Sequence, residues 1–207
     1  MYTLLFSAHL LLQLLLLPTT ATLPQDSNPG LIHAADSAFN KRYGHTPESY
    51  VIVSIRTQQL YVIRNHAIHV QYPISSSKFG TGSKKNSNQT PLGFHVVKEK
   101  FGEDIPLYGI LKSRMYTGRQ AEIIHEARSV NTDDVTTRIL WLSGEDKGVN
   151  LGGEVDSHER FIYIHGTPEE GLIGQPASHG CIRMLNKDVI RVYDDIPVGT
   201  KVWITNQ

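Results

Sequence analysis

The chain has a single cysteine, Cys181, so no disulfide can form within its 207 residues. It has no net charge either: 20 Lys and Arg balance 20 Asp and Glu, and no field draws it to nucleic acid or an acidic membrane surface. Lys84-Lys85 is the nearest thing to a basic patch. The glycine-rich GTGSKK from Gly80 to Lys85 lacks the G-x-x-x-x-G-K-[ST] spacing and leads into no apolar helix, which sets nucleotide binding aside. No internal repeat or low-complexity tract appears beyond the first residues. The length suits one domain with a real core and an appendage, not two domains.

Among the things present, the N-terminal apolar run from Leu4 to Leu17 is too short for a comfortable bilayer span and reads as the core of a secretory signal, with Thr19 and Ala21 as small residues near a cleavage point. The cation that usually precedes such a run is missing, so an uncleaved anchor is the alternative. Either way the chain is expected to be exported to the periplasm or cell envelope. No cysteine follows the run, so lipid anchoring there is not available. In an oxidising compartment Cys181 is reactive, paired with another molecule, or buried and inert.

The expected organisation is a signal over 1–21, a linker and short helix over 22–48, and a catalytic domain over 49–206. In LIHAADSAFNKRYG, Leu31, Ala35, Ala38 and Phe39 share one helical face, with Gly44 as the stop. From Tyr50 the texture is β: YVIVSIR, QLYVIRN and AIHVQYPI are rich in Val, Ile and Tyr, with turns at Thr57-Gln58 and Asn65-His66. Ser75 to Gln89 is a surface loop, and Thr90-Pro91-Leu92-Gly93 a turn that launches FHVVKEK. Phe101 to Asp134 reads as a long irregular excursion, a flap or wall of a cleft. RILWL is a strand, Gly144 to Ser157 a polar loop, and Phe161 to Ile164 a buried strand delivering His165. Asn186 is predicted to cap a helix ended by Pro197, and GTKVWI to be a closing strand. The sum is a mostly β, sandwich- or barrel-like domain with few short helices.

The chemistry concentrates in Phe161 to Met184, FIYIHGTPEEGLIGQPASHGCIRM. A cysteine nucleophile needs a base, a group that orients the base, and donors for an oxyanion. Thr167-Pro168-Glu169-Glu170 has the form of a capping box that would start a helical turn just after His165. Gly174 and Pro176 turn the chain back so that Ser178-His179-Gly180-Cys181 returns beside the His165 strand. The amides of Gly180 and Cys181 form a candidate oxyanion nest. Arg183 falls on the Cys181 face of an extended segment, where its charge favours thiolate or holds a substrate carboxylate. On residues alone other readings stay open: Cys181 as a small buried hydrophobe, His165 as a core histidine, or His165, His179 and Cys181 as zinc ligands, although neither CxxC nor HExxH spacing accompanies them. His66, His69, His95, His125 and His158 are read as solvated or structural.

HGTPEEGLIGQPASHGCIRM closely resembles the signature of bacterial L,D-transpeptidases with the YkuD-type catalytic domain. The strands from Tyr50, the TPLG turn and GTKVWI resemble that family as well, whereas Phe101 to Ser157 does so only loosely. The resemblance implies Cys181 as nucleophile, His165 as base, the Gly166 carbonyl as its orienter, His179 and Arg183 as residues shaping the site, Ser178 holding the turn at the substrate-binding side, and Gly180 and Cys181 amides in the oxyanion hole. It implies acyl transfer on peptidoglycan stem peptides with release of D-alanine, and no metal or organic cofactor. Rivals are an L,D-carboxypeptidase, a hydrolase of cross-links, attachment of an outer-membrane lipoprotein, and a peptidoglycan-binding module with a degenerate site. A papain-like protease is set aside, since its local cysteine signature is absent and its histidine follows the cysteine. No nucleic acid and no obligate protein partner is implied.

Overall fold

The structure, a computed structural model, describes residues 29–207; the expected signal and most of the expected linker lie outside them. Helix α1 (Pro29–Tyr43) precedes β1 (Ser49–Ser54), β2 (Gln59–Arg64), β3 (Ala67–Ser75), β4 (Gly93–Phe101), β5 (Gly109–Lys112), β6 (Met115–Gln120), β7 (Val135–Gly144), β8 (Tyr163–Gly166) and β9 (Ile182–Met184). Helix α2 (Asn186–Asp195) and β10 (Lys201–Thr205) follow. The strand order is β4-β10-β1-β2-β3-β9-β8-β7, and β4 also pairs with β7, so eight strands close into a barrel. The β5–β6 hairpin hangs from β7 outside that closure. Only β1 with β10 and β8 with β9 run parallel among these ladders.

Runs of Val, Ile and Tyr make β1 and β2 suitable for burial on both faces. Val51, Val53, Leu60 and Val62 point into the barrel, where they meet Leu140, Leu142, Ile164, Ile182, the α2 residues Val189 and Val192, and Ile196 just after them. Their neighbours Tyr50, Ile52, Tyr61 and Ile63 point outward and are covered by Leu31, Ala35 and Phe39 of α1. The Phe39 and Tyr50 rings lie 4.6 Å apart. Helix α1 is therefore a layer of the fold and not an appendage beside it. Among the described residues no helix is long and apolar enough to cross a membrane.

Four local expectations are corrected. The stretch from Phe101 contains the β5–β6 hairpin, whose turn residues Ser113 and Arg114 both have positive φ, 48° and 67°. This primed turn normally announces itself with Asn or Gly, which is why the sequence hides it. Phe161 is not in the strand: it sits at φ 56° and is 52% exposed, and β8 begins at Tyr163. The capping box is not made. A 3-10 turn over Glu170–Leu172 has no side-chain cap, and the Glu169 amide donates to Thr167 Oγ1 at 3.2 Å. Asn186 is likewise the first residue of α2 and not its cap. Its Oδ1 accepts from the Thr136 and Thr137 hydroxyls at 2.6 Å each, and its Nδ2 donates to Thr167 O at 2.7 Å and Glu170 Oε1 at 2.8 Å. A buried amide satisfied on every side fixes α2 to β7 and to the chain leaving β8.

The polar loop after β7 is structural in its first half. Asp146 accepts from the Phe94 amide at 2.8 Å, and Asn150 donates to the Leu92 and Phe94 carbonyls at 2.9 and 3.1 Å, which pins the start of β4.

Candidate active site

Side chains alternate across a strand, and Ile164, Ile182 and Met184 belong to the barrel interior. Tyr163, His165, Cys181 and Arg183 therefore project from its outer face. In the parallel β8–β9 ladder His165 is opposite Arg183, and one step back Ile164 is opposite Ile182. Cys181 thus lies beside Tyr163 and diagonally from His165, about 8 Å between Cα positions at standard strand spacings. Two side chains leaning together span such a diagonal.

The turn into Cys181 is held from below. Ser178 Oγ donates to the Cys181 carbonyl at 2.6 Å and accepts from the Gly180 amide at 3.2 Å. Thr90 Oγ1 donates to the Gly180 carbonyl at 3.0 Å. Gly180 has φ 124°, a conformation that side chains resist. Ser178 is buried and its hydroxyl is committed to the turn. Because the Gly180 amide faces Ser178, only the Cys181 amide of the expected nest lacks an acceptor among the described residues.

The thiol is partly exposed and packs at the edge of the outer cluster formed by Leu111, Ile139, Trp141 and Tyr163. Its sulfur accepts from the Tyr163 amide at 3.4 Å, and its S–H donates to the Phe161 carbonyl at 3.3 Å. Burial pushes the thiol up to about 12, with Asp133 adding to the rise and the Tyr163 amide, Arg183 and Arg160 opposing it. His165 is 2% exposed, and its Nδ1–H donates to the Gly166 carbonyl at 2.7 Å, leaving Nε2 as the basic nitrogen. Burial holds this imidazole down to about 4, against the pull of Asp133. Burial thus favours the neutral form of both sulfur and imidazole. A side chain at Gly166 would run into Asn186 Oδ1, 2.4 Å from an added Cβ, so the carbonyl that orients His165 sits in space only glycine leaves free.

Arg183 departs most from expectation. Its guanidinium is buried, with Nη1 donating to Glu169 Oε2 at 2.5 Å and Nη2 to Asp133 Oδ1. It does not face solvent to receive a substrate carboxylate. It forms instead the base of an electrostatic hub. Asp133 also accepts from His179 Nδ1 at 2.8 Å, and His179 leans on Phe79 with ring centroids 5.8 Å apart. Burial alone would raise the Asp133 carboxyl, but Arg183, His165 and His179 outweigh it and hold it below its usual range. Glu169 Oε1 accepts from the Val130 amide at 2.6 Å, and the Ile124 and Gly171 backbones bond across the same seam. The segment before β7 is thereby laced to the one after β8.

The structure brings together His165, Gly166, Ser178, His179, Gly180, Cys181 and Arg183. Sequence reasoning missed Asp133, Glu169, Tyr163, Thr90 and Arg160. Glu169 stood in a stretch already singled out, where an acid near a motif arginine was the available signal; Asp133 had none. Among the described residues no group of three side chains is placed to ligate a metal.

A closed barrel that displays a carbonyl-oriented histidine on one strand and a cysteine just before its parallel neighbour defines the class. The sequence model of the L,D-transpeptidase catalytic domain, YkuD, matches residues 48–204, and the chain belongs to that family. The Bacillus subtilis (strain 168) protein YqjB, a candidate L,D-transpeptidase, is 30% identical over 159 residues, covering 77% of this chain and 72% of YqjB. The YkuD protein of the same organism is 54% identical over 41 residues, 20% of this chain and 25% of its own length. A solved L,D-transpeptidase from Mycobacterium smegmatis superposes with TM-score 0.46 at 18% identity, covering 76% of this chain and 58% of that one.

Proposed function

We propose that this protein is an exported L,D-transpeptidase that cross-links peptidoglycan stem peptides through a thioester on Cys181. The observation that supports it best is Cys181 and His165 on one outer patch, with His165 Nδ1 fixed by the Gly166 carbonyl and Nε2 left to take a proton. General-base removal of the thiol proton is the step such a pair needs, because burial disfavours the thiolate.

In this reading Cys181 Sγ leaves its bond to the Phe161 carbonyl and attacks the carbonyl of the diamino-acid residue at stem position three, while His165 Nε2 takes the thiol proton. The Cys181 amide stabilises the oxyanion. Collapse breaks the C–N bond to the terminal D-alanine, whose amine receives the proton from His165 and departs. The acceptor amine then attacks the thioester, giving its proton to His165 as the new amide forms and the thiol is restored. With water as acceptor the same site trims stems or opens cross-links, and with a lipoprotein amine it anchors that protein.

The test is intact-mass analysis after incubation with a carbapenem, followed by digestion of purified peptidoglycan and muropeptide analysis. One covalent adduct on the wild type, lost in Cys181→Ala, together with new cross-linked dimers, is the expected result. Lost D-alanine without dimers assigns the carboxypeptidase reaction, and split dimers the hydrolase. No adduct and no muropeptide change leaves a binding module.

A further inference from the structure

Arg114 is held by the same two residues that hold the Cys181 sulfur. Tyr163 gives its amide to Sγ at 3.4 Å and its phenol oxygen to Arg114 Nη1 at 3.4 Å. Phe161 gives its carbonyl to the thiol at 3.3 Å, and its ring lies 5.8 Å from the guanidinium carbon. The guanidinium also rests 4.6 Å from the Trp141 ring centre and 6.0 Å from that of Phe101. Trp141 is itself backed by His158, stacked at 3.8 Å, and its indole N–H donates to the His158 carbonyl at 3.1 Å.

This cation is built into place and left without a counter-ion. Among the described residues no carboxylate pairs with Arg114, and the long bond to Tyr163 occupies one of its five donors. The neighbouring acid, Glu99, accepts from His158 Nε2 at 3.1 Å. Arg114 is also the second central residue of the β5–β6 turn at φ 67°, a conformation unfavourable for a long side chain, where glycine would be at ease. An arginine kept at a strained turn position, stacked on aromatic rings and unpaired, is a guanidinium presented to something anionic.

We infer that Arg114 is a specificity-determining residue that binds a free carboxylate of the donor stem peptide next to the carbonyl attacked by Cys181. The inference rests on the transpeptidase reading. It assigns to Arg114 the role that buried Arg183 cannot fill. Such a donor offers two carboxylates, that of the terminal D-alanine and, where the diamino acid is diaminopimelate, the one on its side chain. A planar fork recognises either by paired charge-assisted hydrogen bonds.

The experiment measures D-alanine release from three synthetic tetrapeptides containing diaminopimelate: one with both carboxylates free, one with the D-alanine carboxylate amidated, one with the side-chain carboxylate amidated. The amidated terminus releases D-alaninamide, quantified in its place. Wild type, R114Q, R114K and R114G are compared. Amidation of the recognised carboxylate is expected to lower wild-type kcat/KM by about 10- to 100-fold, mostly through KM, and to change R114Q by less than about twofold. Whichever amidation shows that loss identifies the carboxylate. R114K is expected to recover only part of the discrimination, because an ammonium lacks the fork. R114G is expected to discriminate no better than R114Q while keeping its melting temperature, since glycine suits the turn. Equal amidation penalties in wild type and R114Q, or no wild-type penalty from either amidation, overturn the inference while leaving the transpeptidase reading intact. A wild type that neither releases D-alanine nor takes up a carbapenem overturns both.

Discussion

Arg183 touches two carboxylates, and they are not equivalent. Its side chain is 3% exposed, that of Glu169 4% and that of Asp133 46%. Glu169→Ala leaves a buried guanidinium with Asp133 and a 3.4 Å contact to the Ala177 carbonyl, and removes the acceptor of the Val130 amide. Stranding a buried charge costs about 3–5 kcal/mol. Asp133→Ala removes a half-exposed partner while Glu169 stays in place, and partly solvated pairs contribute about 0–1 kcal/mol. In a domain of this size each kcal/mol moves the melting temperature by roughly 2–4 °C, so Glu169→Ala should lower it by at least about 6 °C and Asp133→Ala by about 4 °C or less. Urea unfolding followed by circular dichroism gives the free energies directly, with the two midpoints compared at equal slope. The double change Glu169→Leu with Arg183→Met should recover much of the loss, because no charge is then left buried. Equal effects of the two single changes, or a Glu169→Ala cost under about 1 kcal/mol, would show that the guanidinium is solvated and refute the hub.

Three further outcomes follow from the same geometry. Rates of acylation by a carbapenem should be flat from about pH 5.5 to 8 and fall as pH drops through about 4, where His165 protonates; an acid limb near 6.5 would mean that burial does not depress it. His95, fully buried between Ser157 Oγ at 2.9 Å and the Gly93 carbonyl at 3.1 Å, is depressed to about 4 in the fold. An unfolded histidine binds its proton near 6.5, so stability should fall as pH drops from about 6.5 toward 4; His95→Gln should flatten part of that slope in pH-resolved denaturation, and an unchanged slope would assign it elsewhere. Phe39→Ala should destabilise the protein by about 3–5 kcal/mol and expose Tyr50 and Tyr61 to dye binding, whereas a negligible change would make α1 dispensable.

The sequence made the barrel strands readable because each is a short run of Val, Ile and Tyr bounded by turn residues, and β1 to β3 fall where those runs predict. The β5–β6 hairpin escaped because Ser113 and Arg114 occupy turn positions that local preference assigns to Asn and Gly, and tertiary stacking overrode that preference. At the site, short-range pattern was enough for His165, Gly166 and the turn into Cys181. The partners of Arg183 depend on which loops the barrel brings together, so its role could be read only in three dimensions. Asn186 and Glu170 show the same limit: both have the residue type of a cap, yet each is drawn into a buried contact across the fold.

Closure of the barrel also sets when the protein can finish folding. Strand β1 pairs with β10, joining Tyr50 to Lys201, and β10 in turn pairs with β4. Until β10 is available, β1 and β4 each present an open edge to solvent, and the interior residues Val51, Val53 and Val97 have lost Val202 and Ile204 as neighbours. Barrel closure therefore waits on β10, whose pairings with β1 and β4 join segments far apart in the chain, and such non-local contacts are the slow ones to form.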